Sequence, residues 1–190
     1  EIPEELFLET GEGLPPLPKG PAPAIISTMD RDHFAPALAA IRKGYDLLLE
    51  KPISPVPEEC RILGEEADGA GVRVLVCHVL RYTAFFNALK RVIDSGEIGD
   101  VMHIQHTEGV GNVHQSHSFV RGNWANSDES SPMILQKSCH DMDILQWLIG
   151  KHCRRVHSFG SLSYFRRENA PEDAPEFCID GCPHSAECPY

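Results

Sequence analysis

The stretch GYDLLLEKP, residues 44–52, decides the fold prediction. Residues 45–50 are largely apolar and predict a short strand that is buried in a sheet. Gly44 ends the helix expected before it, and Pro52 ends the strand. If the sheet is parallel, Lys51 lies at the carboxyl end of a strand, where open α/β sheets bind their ligands.

The segments on either side of this strand support a parallel sheet. Residues 24–27 and 72–76 have the length and the branched side chains of buried strands. Residues 31–43 and 57–70 place apolar side chains at helical spacing. This alternation predicts a parallel α/β sheet with right-handed crossovers. Three strands are few and no G-x-G-x-x-G motif is present, so we expect earlier strands and any phosphate-binding loop upstream of Glu1.

Other segments of the chain have weaker patterns. Residues 83–95 predict a helix that ends at Gly96, and residues 132–149 predict a longer one with Ser131 as N-cap and Pro132 at its first position. The remaining predictions are a Gly- and Pro-rich loop at residues 11–23 and strands at residues 101–110 and 155–165.

Composition excludes several classes of function. The net charge of −11 argues against a surface that binds nucleic acid or anionic membrane. No run approaches the roughly 18 apolar residues of a membrane span. The chain starts Glu1-Ile2-Pro3 without a signal peptide, so we expect a piece of a longer chain, cut at both ends. Seven cysteines without a secretion signal indicate a reducing, cytoplasmic setting.

The predicted helix at residues 132–149 carries one polar stripe. Gln136, His140 and Asp143 fall within an arc of about 60°, and Lys137 lies beside them. A mostly apolar helix with such a stripe faces a polar partner or site. A core histidine bonded to a neighbouring carboxylate or carbonyl is the alternative interpretation.

Lys51 is a second candidate for chemistry. Pro52 holds the lysine backbone in extended geometry. A lysine that is partly desolvated or close to other cations exchanges protons near neutral pH. Taken alone, the residue fits an ordinary surface lysine at a strand end better than a catalytic one.

Three sets of motifs in register resemble the Gfo/Idh/MocA oxidoreductases, the family of glucose-fructose oxidoreductase and inositol dehydrogenase. The first set resembles the late Rossmann segment, the second the start of the second domain, and the third the active-site helix. They are AIIST (24–28), DRDH (30–33) and GYDLLLEKP (44–52), then SGEIGDV (95–101), then KSCHDMD (137–143). The resemblance implies an α/β fold: the C-terminal part of a Rossmann-type parallel sheet over residues 1–79, followed over residues 80–190 by an α+β domain with a mixed, mostly antiparallel sheet.

The resemblance also implies roles for individual residues. Lys51 matches a catalytic lysine near the nicotinamide, and His140 matches the base that acts on the substrate hydroxyl. Gln136 stands where many members have an Asp, and Lys137 matches a substrate contact of one subgroup. The residues implied in cofactor binding are Thr28, Asp30, His33, Glu50, Lys51, Pro52 and Arg81. We assign no metal ion to the catalytic site.

Residues 117–124, HSFVRGNW, resemble a substrate loop of the same subgroup. Arg121 can donate hydrogen bonds to hydroxyls or a carboxylate, and Trp124 can stack on the C–H face of a sugar. An ordered surface loop without ligand contacts is the alternative.

The resemblance therefore implies an NAD- or NADP-dependent dehydrogenase that acts on a sugar, polyol or related secondary alcohol and assembles as a homo-oligomer. One alternative is a catalytically silent member that binds sugar, which Gln136 favours. Another is a zinc-stabilised interaction module, because Cys178, Cys182 and Cys188 with His184 offer soft ligands. Their spacing is not the paired C-x₂-C of a zinc ribbon.

Overall fold

The computed structural model describes residues 23–188, which are built around a parallel sheet of three strands. The strands β1 (Pro23–Ile26), β2 (Asp46–Leu49) and β3 (Val74–Val76) are neighbours in that order. Their carboxyl ends share one edge of the sheet, as the sequence pattern predicted. The loop predicted at residues 11–23 lies outside the described residues except for Pro23.

Two helices connect the strands and cover the face of the sheet that carries Ala24, Ile26, Leu47 and Leu49. They are α1 (Phe34–Arg42) and α2 (Pro57–Ala70). Pro57 takes the first position of α2, where its missing N–H costs nothing, and Gly71 ends the helix with a φ of 67°. The core between the helices and the sheet consists of Ala24, Ile26, Ala37, Ala40, Ile41, Tyr45, Leu47, Leu49, Leu63 and Ala67.

The second half of the chain is helical wherever it is regular. Thr83 caps α3 (Ala84–Ser95) by accepting a hydrogen bond from the Phe86 N–H at 3.3 Å. The later helices are α4 (Asn112–Gln115), a π-helix (Ser116–Val120), α5 (Met133–Gln136) and α6 (Cys139–Ile149). Short 3₁₀ turns lie at Asp30–Asp32, Val79–Tyr82, Arg167–Asn169 and Cys178–Asp180.

The helix predicted at residues 132–149 is two helices, which corrects the sequence interpretation. Pro132, rather than Ser131, is the N-cap of α5. The helix is interrupted at Lys137 and Ser138, between α5 and α6. At this break the carbonyl of Gln136 accepts a hydrogen bond from the Lys51 ammonium at 3.1 Å. The break is therefore where the second half of the chain meets the sheet edge.

The strands predicted at residues 101–110 and 155–165 are absent from the described structure. Both segments are irregular, and Met102 and Phe159 are 90% and 95% exposed. A strand needs a neighbour for its backbone N–H and C=O groups. Within residues 23–188 neither segment has one, so the described structure shows no second sheet. It also holds no helix with the length and apolar character to cross a membrane.

Candidate active site

A cavity of about 190 Å³ lies beyond the carboxyl end of β2. It brings together five residues that the sequence singled out: Lys51, Trp124, Gln136, Lys137 and His140. Three lining residues were not singled out: His114, Ser118 and Phe119. Residues from both halves of the chain thus form one site.

Lys51 joins the sheet edge to the break between α5 and α6. Its backbone N–H donates to the Glu50 carboxylate at 3.3 Å, and its ammonium donates to the Gln136 carbonyl at 3.1 Å. The peptide bond to Pro52 is cis. Glu50 and Pro52, expected at the cofactor, hold the lysine backbone and do not line the cavity.

His33 has a structural role, whereas the sequence placed it among the cofactor contacts. Its side chain is buried, and its two ring nitrogens lie 2.8 Å from the Pro52 carbonyl and 3.0 Å from the Thr28 carbonyl. The Thr28 hydroxyl donates to the Asp32 carbonyl at 3.0 Å. The ring therefore ties the loop after β1 to the turn after β2, and no ring nitrogen is left for a ligand.

Asp30 connects the loop after β1 to the wall of the cavity. Its carboxylate is buried and accepts hydrogen bonds from the Trp124 indole N–H at 2.9 Å and from the Ser131 hydroxyl. This bond fixes the tryptophan ring against the cavity. Asp30 was expected to contact the cofactor, and the structure gives its carboxylate this joining role.

The loop at residues 117–124 is held by a close backbone approach. A Cβ on Gly122 would clash with the His117 carbonyl, so only glycine fits the turn. Phe119 and Trp124 pack with their ring centroids 6.1 Å apart, and both line the cavity. Arg121, a predicted substrate contact, is exposed and lies outside the lining.

His78 is a residue of the site that the sequence interpretation missed. It follows β3 at the sheet edge, and its ring packs edge-on against His140 with centroids 5.7 Å apart and planes at 83°. Burial, then the charges of Lys51 and His78, lower the pKa of His140. Burial also lowers the pKa of His78. The position directly after a predicted strand was the available signal, because that edge carries ligand sites.

Arg81 pairs with α6 rather than projecting into the cavity. Its guanidinium binds both carboxylate oxygens of Asp143, at 2.7 and 2.5 Å, and lies 5.9 Å from the centre of the Trp147 ring. The Asp143 carboxylate is also 4.0 Å from the His78 ring. This ion pair anchors α6 beside His78, and the nicotinamide contact expected of Arg81 stays a prediction.

A carboxylate network lies behind Lys137 and His140. The Lys137 ammonium is 3.4 Å from Glu108, and His106 is 2.7 Å from Asp141. The ligand atoms of His106, Glu108 and Asp141 lie within 4.8 Å of one another, the one such group among residues 23–188. Because Lys137 and His106 already partner these carboxylates, we assign no ion to the group.

The cysteine tail does not gather a set of zinc ligands in the described structure. Cys178, Cys182 and Cys188 are free thiols, and no close group of metal-ligating atoms includes them within residues 23–188. His184 pairs instead with Asp173 at 2.5 Å, which lowers the pKa of the carboxyl. The ligand set proposed for a zinc module is not assembled there.

Two family models account for most of the sequence. The oxidoreductase family model with an NAD-binding Rossmann fold matches residues 8–78. The Gfo/Idh/MocA C-terminal domain model matches residues 86–178. The chain belongs to the Gfo/Idh/MocA family of oxidoreductases. The first part of this chain therefore belongs to an NAD-binding Rossmann domain.

Curated relatives of this Gfo/Idh/MocA chain include two bacterial proteins. The putative oxidoreductase YteT of Bacillus subtilis is 28% identical over 87% of this chain and 39% of its own length. Inositol 2-dehydrogenase 2 of Saccharopolyspora erythraea is 30% identical over 67% of this chain and 34% of its own length. The chain thus spans about two fifths or less of these relatives.

Solved structures agree on the fold. An NAD binding oxidoreductase from Klebsiella pneumoniae superimposes with a TM-score of 0.61 at 22% identity, over 67% of this chain and 34% of that protein. The myo-inositol 2-dehydrogenase of Lactobacillus plantarum gives 0.59 at 19% identity, over 67% and 37%. At these identities the comparison establishes the fold of the Gfo/Idh/MocA chain and leaves its substrate open.

Proposed function

We propose that the protein is an NAD- or NADP-dependent dehydrogenase that transfers a hydride between the nicotinamide and a secondary alcohol of a sugar or polyol. The observation that carries the proposal is that Lys51 and His140, from opposite halves of the chain, line one cavity at the carboxyl edge of the sheet. That edge is where open α/β sheets bind ligands.

His140 is suited to act as the base. Burial and the ammonium of Lys51 hold its pKa below the ordinary value, so the ring is neutral at pH 7. A neutral imidazole can accept the proton of a substrate hydroxyl. Its Nδ1 is buried and has no hydrogen-bond partner among the described residues. The ring therefore keeps bonding capacity that a purely structural core histidine would have used.

Lys51 supplies the positive charge next to this base. Its ammonium faces the cavity from the Gln136 carbonyl and can polarise the oxygen whose proton His140 takes. As charge develops on that oxygen, a fixed ammonium in a partly dry site stabilises it more than water does. The pair thus divides the work into proton removal and charge stabilisation.

His78 and Asp143 take the place of a missing partner for His140. Many family members have an Asp where this chain has Gln136, and the backbone carbonyl of Gln136 accepts a hydrogen bond from Lys51. The His78 ring packs against His140, and Asp143, fixed by Arg81, lies 4.0 Å from His78. We assign His78 the role of a positioning residue that holds the His140 ring.

The loops after the three strands fit a nicotinamide cofactor. Thr28, Lys51 and His78 lie there, and the Nδ1 atom of His78 is buried without a partner among residues 23–188. These loops would hold the nicotinamide end, with Asp30, His33, Glu50, Pro52 and Arg81 shaping them from behind. The cofactor supplies the hydride acceptor or donor.

Three further expectations belong to this proposal. Residues 1–79 form part of the dinucleotide-binding domain, and residues 80–190 form part of a substrate-binding domain with a mixed sheet. The protein assembles as a homo-oligomer through that sheet and works in the cytoplasm. Its partner is a small polyol or sugar, not nucleic acid or membrane.

Cofactor titration and turnover test the proposal in the full-length protein. NADH binding should quench the fluorescence of Trp124 and Trp147, and a panel of inositols and sugars should reduce NAD or NADP. Binding without turnover on any alcohol of the panel would replace the dehydrogenase with the silent sugar-binding alternative. Absence of both signals would contradict the proposal altogether.

A further inference from the structure

The ionisable side chains that line the cavity are all basic. They are Lys51, Lys137, His114 and His140, and none of the eight lining residues is a carboxylic acid. The whole chain carries a net charge of −11. A cavity lined only by basic ionisable groups departs from the acidic composition of the chain as a whole. Such a lining favours an anionic ligand.

The nearby carboxylates lie behind the lining, and each has its own partner. Glu108 is 3.4 Å from the Lys137 ammonium, and Asp141 and Asp143 bind His106 and Arg81. Glu108 therefore pairs with Lys137 without itself lining the cavity. The lysines that line the cavity, Lys51 and Lys137, can only donate hydrogen bonds to a ligand.

A neutral sugar fits such a lining poorly. Each sugar hydroxyl donates one hydrogen bond and so needs an acceptor. Among the lining side chains, the acceptors besides the histidine rings are the Gln136 amide and the Ser118 hydroxyl. A carboxylate, in contrast, only accepts hydrogen bonds and binds most strongly to charged donors.

The size of the cavity and the roles assigned to its basic residues restrict the choice of ligand further. A volume of about 190 Å³ is below the roughly 300–1,000 Å³ of sites for drug-sized ligands and suits a single sugar ring. Lys51 and His140 are assigned to the reacting hydroxyl. Lys137 and His114 remain to bind a charged substituent.

We infer that the substrate is an anionic monosaccharide, a sugar acid whose carboxylate is bound by Lys137 together with His114. The inference rests on the proposed dehydrogenase function, because it uses the same cavity. A sugar phosphate would present related anionic chemistry. The single ammonium of Lys137, already shared with Glu108, matches the one charge of a carboxylate better than the two of a phosphate.

Matched pairs of sugars test the inference in the full-length protein. Glucuronate and galacturonate are compared with glucose and galactose, and glucose 6-phosphate forms a third arm. We expect kcat/KM to be at least about tenfold higher for the uronates, since a charge-assisted hydrogen bond is stronger than a neutral one. The advantage should shrink as salt is raised from about 0.05 to about 0.5 M, because the Lys137 side chain is partly exposed and salt screens its charge.

Variants of Lys137 assign the effect to this residue. Lys137→Met should abolish the preference for uronates, Lys137→Arg should keep part of it, and Lys151→Met, at an exposed lysine outside the lining, should keep all of it. Binding of each sugar without cofactor is measured by saturation-transfer NMR. That readout tests the inference even if no alcohol is oxidised and the proposed function fails.

Two results would overturn the inference. Equal or better binding of the neutral sugars would show that the basic lining does not select an anion. Preference for glucose 6-phosphate over both uronates would show that the site binds a phosphate group rather than a carboxylate. If neutral sugars and uronates were turned over equally well, the dehydrogenase proposal would stand. Only the assignment of a sugar acid as substrate would be wrong.

Discussion

Replacing Lys51 with Met separates the catalytic role of this lysine from its structural one. Met keeps the apolar stem and removes the ammonium, so the lost contact is the 3.1 Å hydrogen bond to the Gln136 carbonyl. A hydrogen bond of this kind contributes about 1–2 kcal/mol at a partly buried position. Loss of a charge aligned with the reacting oxygen should cost more, about 10²-fold in turnover or ~2.7 kcal/mol of transition-state stabilisation.

The assay for Lys51→Met combines two measurements on the same protein. The turnover number is measured at saturating substrate and cofactor, and the free energy of unfolding is measured in urea. We expect turnover to fall by about 10²-fold or more while the unfolding free energy falls by about 1–2 kcal/mol. Lys151→Met, at an exposed lysine outside the cavity, controls for loss of charge. Unchanged turnover of Lys51→Met would refute the catalytic role.

Three other perturbations probe the fold and the site. Leu49→Ala, at the fully buried carboxyl end of β2, should lower the unfolding free energy by about 2–5 kcal/mol in urea, and a loss under 1 kcal/mol would contradict the assigned core. Burial holds the pKa of His78 below its ordinary value, so its neutral form stabilises the fold above about pH 6.5 and this stability is lost as the pH falls below it. His78→Asn should therefore flatten the fall in unfolding free energy between about pH 6.5 and 5, and an unchanged slope would place the acid sensitivity elsewhere. Gly122→Ala should push the loop away from the His117 carbonyl, raising KM and lowering the unfolding free energy by about 1–3 kcal/mol; wild-type values of both would mean that the turn adapts.

The parallel unit is predictable from sequence because its signals are local. The helix at Pro57–Ala70 is found where the apolar spacing and Pro57 place it. The short strand at residues 46–49 has three consecutive leucines, and Leu47 and Leu49 point into the core beneath the two helices. Its carboxyl end then locates Lys51 at a ligand-binding edge without further information.

The second half of the chain is less predictable because its structure depends on distant contacts. The break between α5 and α6 lies at Lys137, where the Gln136 carbonyl meets an ammonium 85 residues away. No local pattern encodes that contact. Residues 101–110 have the alternation of a strand, but a strand forms only with a neighbour, and the described structure provides none.

Two residues near the cavity that sequence reasoning missed share one property. His78 and Glu108 belong to no motif, and each acquires a role through a neighbour that is distant along the chain, His140 and Lys137 respectively. The packing of His78 on His140 joins the end of β3 to α6. Conversely, Asp30 and His33 belong to a recognisable motif, yet their side chains are turned inward to protein partners.

The inward turn of Asp30 has a consequence for protein engineering. Its buried carboxylate has two donors, Trp124 and Ser131, both of which come from the segment that walls the cavity. A chimera that exchanged this segment for that of a relative without both donors would strand a buried negative charge in the nucleotide-binding half. A chimera designed to transfer substrate preference must therefore exchange Asp30 together with the segment that carries Trp124 and Ser131. Asp30 and Trp124 act as one unit although they are 94 positions apart in the sequence.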